Sequence, residues 1–181
     1  MKRKFFTNLI LLLSINVLIK PFWLLGIDRH VQVVTGDDFG LYYALLGLSA
    51  TLNILLDMGI TNYNNRNIAR YNHLLPKHLG KILGIRLGLA VVYALVCFLW
   101  GFLAGYNQVQ LHILSFLIVN QFLLQLILYL RSNLAALQMF TIDSLMSVLD
   151  RVFMIVFCGI LLYTNLFDHQ IRIEWFVYIQ T

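Results

Sequence analysis

Leu41-Tyr-Tyr-Ala-Leu-Leu-Gly-Leu-Ser-Ala-Thr-Leu-Asn-Ile-Leu-Leu56 is a largely apolar run, closed by Asp57 and Gly59 and followed by the polar, basic segment Thr61-Asn-Tyr-Asn-Asn-Arg-Asn-Ile-Ala-Arg70. A second apolar run opens behind Lys77, Lys81 and Arg86. Two hydrophobic stretches flanking a basic, Asn-rich connector predict a membrane hairpin with that connector in the cytoplasm.

The rest of the chain repeats this alternation. Hydrophobic residues make up 60% of the 181 residues, charged residues only 12%, and there are two prolines. Soluble domains carry roughly 25% charged residues, so a surface built from this sequence cannot face water throughout. The formal charge of +5 sits in a few segments between apolar runs, which reads as a topology signal rather than a nucleic-acid footprint. Cys97 and Cys158 lie inside apolar runs and read as small apolar packing residues. The apolar run after Met1-Lys-Arg-Lys is too long for a signal peptide and lacks a small-residue cleavage site, so it reads as a retained helix.

The expected fold is all-α: a polytopic transmembrane helical bundle of about five complete spans plus the start of a sixth, N-terminus cytoplasmic. One transmembrane domain is expected over 1–181, with spans at about 5–27, 39–60, 82–104, 111–130, 144–163 and from about 173. Counting Lys and Arg by side gives nine on the N-terminal side and two, Arg29 and Arg172, opposite. That bias sets the orientation.

Ionisable groups inside spans carry the functional expectations, because burying a charge is costly unless it is paired or wet. Lys20 follows Asn16 by four residues and precedes the kinking Pro21, at a depth of roughly 10 Å. It either snorkels to the headgroups or faces a water-filled cavity that attracts an anion; the cavity reading is preferred. Ser49, Asn53 and Asp57 recur every four residues as one polar stripe on an apolar helix, and Gln121 and Gln125 repeat the device. Asp57, Asp150 and Arg151 also admit a structural reading in which they pair near the interface, with Arg86, Arg66 or Arg70 as partners for them. Gly80, Gly84 and Gly88 read as a packing ridge, and Gly101 with Gly105 adds another small-residue pair of the same kind. The five histidines show no metal-ligand spacing, no Ser/His/Asp set is present, and no metal, cofactor or enzymatic activity is expected.

Ile19-Lys-Pro-Phe-Trp, Gly26-Ile-Asp-Arg-His, Gly36-Asp-Asp-Phe-Gly-Leu-Tyr and Leu56-Asp-Met-Gly-Ile-Thr-Asn-Tyr-Asn-Asn-Arg-Asn-Ile-Ala-Arg together resemble the amino-terminal part of polysaccharide biosynthesis proteins. These are the O-antigen flippase-like members of the multidrug/oligosaccharidyl-lipid/polysaccharide exporter superfamily. Phe39-Gly40 stands where the family often has Tyr-Gly. The resemblance implies about 12 to 14 helices in two bundles around a cavity, working by alternating access. It implies translocation of a polyprenyl-diphosphate-linked oligosaccharide across the bacterial inner membrane. Lys20, with Asn16 and Arg29, would engage the diphosphate, and Ser49, Asn53, Asp57, Gln121 and Gln125 would line the sugar path. Asp57 or Asp150 would titrate if transport is ion-coupled. The expected partners are the lipid-linked saccharide, membrane lipids and missing carboxy-terminal helices of the same protein, since this chain reads as the first half of a larger protein or a fragment. Nucleic acid is not among them. The alternatives are a drug or small-molecule exporter of the same superfamily, which would want an anionic cavity, and a non-transporting membrane subunit whose charges merely pair.

Overall fold

A computed structural model describes residues 36–163 and the isolated positions 17, 29, 32, 33, 177 and 178. The described residues form helices α1 (Asp37–Leu52), α2 (Ile54–Asp57), α3 (Ile60–Arg70), a short 3₁₀ turn at Asn72–Leu74, α4 (Leu75–Leu103), α5 (Gln108–Ala136) and α6 (Phe140–Tyr163), with no strand among them. Among the described residues, three stretches are long and apolar enough to cross a membrane: Phe39–Asp57, Leu75–Leu103 and Gln108–Ala136. These correspond to the expected second, third and fourth spans, and the full count of five and part of a sixth is not supported. The expected first and sixth spans lie outside the described residues, and the fifth corresponds to α6.

The chain divides into two compact units, one of which is residues 41–138. Helix α6 belongs to the other; it carries Asp143 in its first turn and exposes Val152, Phe153, Val156 and Phe157.

The 41–138 unit buries polar side chains beside its apolar core and exposes large apolar ones. Ser49, Asn64, Arg86, Asn120, Gln121 and Asn133 are buried, while Ile85, Val91, Leu95, Leu99, Trp100 and Phe102 of α4 are exposed. Exposed apolar faces around a polar interior suit helices solvated by lipid, where interhelical hydrogen bonds and close packing hold the bundle together. An apolar cluster of Leu56, Tyr93, Cys97, Leu114 and Ile118 joins α2, α4 and α5. At about 1.5 Å per residue, α4 and α5 are about 43 Å long, so each extends beyond a hydrocarbon core of about 30 Å. Their boundaries accordingly run past the expected 82–104 and 111–130, which follow hydropathy alone.

The α4–α5 connection is built by capping. Gly105 (φ 74) lets Tyr106 N–H reach back to the Gly101 carbonyl and Gly105 N–H to that of Phe102, satisfying the last turn of α4. Asn107 and Gln110 then form a reciprocal capping box at the start of α5. Gly101 is the tightly packed glycine: a Cβ there would meet Leu111 at 3.1 Å, Tyr106 at 3.2 Å and Leu114 at 3.3 Å. The expected ridge at Gly80, Gly84 and Gly88 has no atom within 4 Å of such a Cβ.

The segment expected to be a connector is helical. Thr61–Arg70 lies in α3, entered through two left-handed residues, Met58 (φ 43) and Gly59 (φ 83). Left-handed backbone costs a non-glycine residue about 1–2 kcal/mol. Nothing lies within 4 Å of a Cβ at Gly59, so Gly59→Ala is expected to destabilise by about that amount through backbone strain alone. Met58 is exposed, so Met58→Gly should raise the unfolding midpoint in detergent where Gly59→Ala lowers it.

Candidate functional site: an interhelical polar seam

The stripe read from α1 and α2 continues into α3 and faces a second stripe on α5. Ser49, Asn53, Asp57 and Thr61 recur every four residues, and Asn64 follows one turn later. On α5 the matching positions are Gln121, Gln125, Tyr129 and Asn133, again four apart. Residues four apart share a helix face, and the two stripes meet from Asn53 to Asn64, with α4 contributing Arg86 there and Tyr93 beside Ser49.

Each rung is a defined set of hydrogen bonds. Tyr93 Oη donates to the Ser49 carbonyl at 2.9 Å, and Ser49 Oγ donates within its own helix to the Leu46 carbonyl at 2.9 Å. Asn53 Nδ2 donates to Gln121 Oε1 at 2.8 Å, while Gln125 Nε2 donates to Asn53 Oδ1 at 2.7 Å. A single asparagine thus bridges two glutamines one turn apart. At the far end Asn64 Nδ2 donates to Asn133 Oδ1, whose own Nδ2 donates to the Tyr129 carbonyl at 3.1 Å.

Between these amide rungs sits the charged one. Arg86 Nη2 contacts Asp57 Oδ1 at 2.5 Å, with the arginine 2% and the aspartate 23% exposed. Asp57 Oδ1 also accepts from Thr61 N–H at 3.1 Å and from Thr61 Oγ1–H, so the carboxylate holds the start of α3 as well. A carboxylate just ahead of the first turn suits the positive end of the α3 dipole. Arg86 further donates from Nη1 to the Gln125 carbonyl at 3.1 Å and from Nη2 to Thr61 Oγ1. Its guanidinium lies 4.7 Å from the Tyr129 ring centroid, within cation–π range. Arg86 Nε and Tyr129 Oη are buried without a hydrogen-bond partner among the described residues.

The rung is neutral overall, since one carboxylate faces one guanidinium. Burying the pair is costly for each ion alone and tolerable only because Thr61, Gln125 and Tyr129 add further contacts. Ser49, Asn53, Asp57, Gln121 and Gln125 are therefore brought together, each with at least one polar side-chain atom bonded to another of them, to Arg86 or Thr61, or to backbone. Asp57 has found Arg86 among the partners the sequence offered. The sequence reading missed Thr61, Asn64, Tyr129 and Asn133; extending the four-residue spacing along each helix reaches Thr61, Tyr129 and Asn133.

Lys20 and Asn16 lie outside the described residues. Arg29 is exposed and helical, and Asp150 lies in α6, its side chain outside the described set. Among the described residues no group of three or more His, Cys, Asp and Glu could hold a metal ion. Comparison with family models, with curated proteins and with solved structures gives no match.

Proposed function

We propose that this membrane protein takes part in moving a lipid-linked oligosaccharide, polyprenyl-diphosphate-linked, across the bacterial inner membrane. The family resemblance of the residues around Lys20 and Asp57 supports the reading. The observation that carries it is the polar seam between the apolar helices. A lipid-facing bundle has little use for two amide stripes and an ion pair at that depth unless they specify packing or serve a polar cargo.

In this proposal Lys20, with Asn16 and Arg29, holds the diphosphate by charge. The seam is the closed arrangement of the sugar path: Asn53, Gln121 and Gln125 exchange hydrogen bonds with one another until the helices part and the saccharide hydroxyls replace them. Asp57, released from Arg86, or Asp150 takes a proton if movement is ion-coupled. Further helices from the same protein would complete the cavity.

A second reading is favoured by the direct hydrogen bonds between the helices. Groups that satisfy one another equally suit a non-transporting membrane subunit in which the seam fixes helix register.

The test is genetic. Removing the coding sequence from its host should abolish the surface glycan, the wild-type chain should restore it, and Lys20→Ala should fail to restore it while the protein stays in the membrane. Glycan that persists without the coding sequence overturns the transport reading. Full restoration by Lys20→Ala removes only the lysine from the site.

A further inference from the structure

From Met58 to Ile142 the chain contains no aspartate or glutamate, yet it carries Arg66, Arg70, Lys77, Lys81, Arg86 and Arg131. Arg86 is paired inside the seam. Arg66, Arg70, Lys77 and Lys81 are all exposed. Their placement is structural rather than incidental to a loose connector. Helix α3 buries Asn64 and Ile68, and the Asn64–Asn133 hydrogen bond fixes that face to α5. At 3.6 residues per turn, Arg66 and Arg70 then lie on the opposite side of α3. Lys77 and Lys81, also four apart, share one face of the first two turns of α4.

Two tyrosines accompany the cations: Tyr63 is 67% and Tyr71 53% exposed. Amphipathic aromatic rings of this kind favour the membrane–water boundary. The turns of α4 just after Lys81 expose Ile85 and Leu87, so the surface passes from cationic to apolar within about two turns of one helix. An occupant must therefore present negative charge and hydrocarbon side by side. A soluble acidic protein or a nucleic acid offers the first without the second; an anionic phospholipid offers both.

The geometry points to the two exposed basic pairs, Arg66 and Arg70 on the outer side of α3 and Lys77 and Lys81 at the start of α4, with Tyr63 and Tyr71 beside them in the chain, as the docking surface for the anionic headgroups of membrane phospholipids. The surface helix α3 lies against the leaflet as a basic anchor, and the seam beneath it holds that anchor in register. This does not depend on the transport reading, because a non-transporting subunit would carry the same face.

Each Lys or Arg near an anionic leaflet contributes about 1 kcal/mol, or about fivefold in affinity. The experiment is native mass spectrometry of the full chain purified in mild detergent, with phosphatidylglycerol or phosphatidylcholine added. Wild type should retain phosphatidylglycerol preferentially. The pairs R66Q/R70Q and K77Q/K81Q should each lower that preference by about tenfold or more, and the fourfold variant further still. Equal retention of the two lipids by wild type, or undiminished preference in either pair variant, overturns the proposal. Release of the lipid by millimolar inorganic pyrophosphate would make the face a soluble-anion site and overturn it too. The pair variants are read separately, so the test stands even if the fourfold variant fails to accumulate.

Discussion

Arg86→Ala is expected to destabilise the 41–138 unit by about 3–5 kcal/mol, the cost of removing one partner from a buried ion pair. The substitution takes away more than an attraction. It leaves Asp57 facing the bundle without its counter-charge, strips the Gln125 carbonyl and Thr61 of a donor, and empties the space over the Tyr129 ring. Asp57→Leu should be costly as well, because the guanidinium that remains is 2% exposed and cannot reach water. The double variant Asp57→Leu/Arg86→Met is the decisive comparison. If the pair acts as a unit, the double variant is less destabilised than the sum of the singles, and less than Arg86→Ala alone. The measurement is the unfolding midpoint in mixed micelles for all four proteins. Additive losses would show that Asp57 and Arg86 act separately and would dissolve the central rung.

The same residues show how far the sequence could be read. The Ser49, Asn53, Asp57 repeat was legible because a four-residue spacing on an apolar background has one helical interpretation, and Gln121 and Gln125 were legible likewise. What faced them was not, because pairing between segments 29 to 72 residues apart depends on how helices pack. Arg86 shows the limit: the sequence offers Asp57 three arginines, Arg66, Arg70 and Arg86, and only packing selects Arg86.

Thr61–Arg70 failed for a different reason. Asparagine-rich segments have low intrinsic helix propensity, and the left-handed Met58–Gly59 turn resembles the start of a loop. Tertiary contacts outweigh that propensity: Asn64 and Ile68 find a buried surface and Asp57 binds the helix start. The glycines divide similarly. The spacings at Gly80, Gly84 and Gly88 and at Gly101 and Gly105 both promised a close approach, and among these glycines it occurs at Gly101, where the capped turn folds Tyr106 back.

Asn53→Leu is the second large effect expected, and it separates the two functional readings. Asn53 donates to Gln121 and accepts from Gln125, so leucine leaves both glutamines without these interhelical partners. Interhelical hydrogen bonds in bilayers average about 0.6 kcal/mol and reach about 1.7, so losing two should cost about 1–3 kcal/mol. Asn53→Leu/Gln121→Leu/Gln125→Leu removes every member of the rung, leaves none of the three amides unpaired, and should recover much of the loss if leucines fill the space. Stability is again read from unfolding midpoints, and function from restoration of surface glycan in the host lacking the coding sequence. If the amides contact saccharide hydroxyls once the helices part, the triple variant is a stable protein that restores no glycan. If they only fix register, it is stable and fully active. A triple variant no more stable than Asn53→Leu would show that the leucines do not repack, and the contrast would then be drawn from the isosteric Asn53→Asp. That change keeps an acceptor for Gln125 but loses the donor to Gln121, and should impair stability and glycan restoration together.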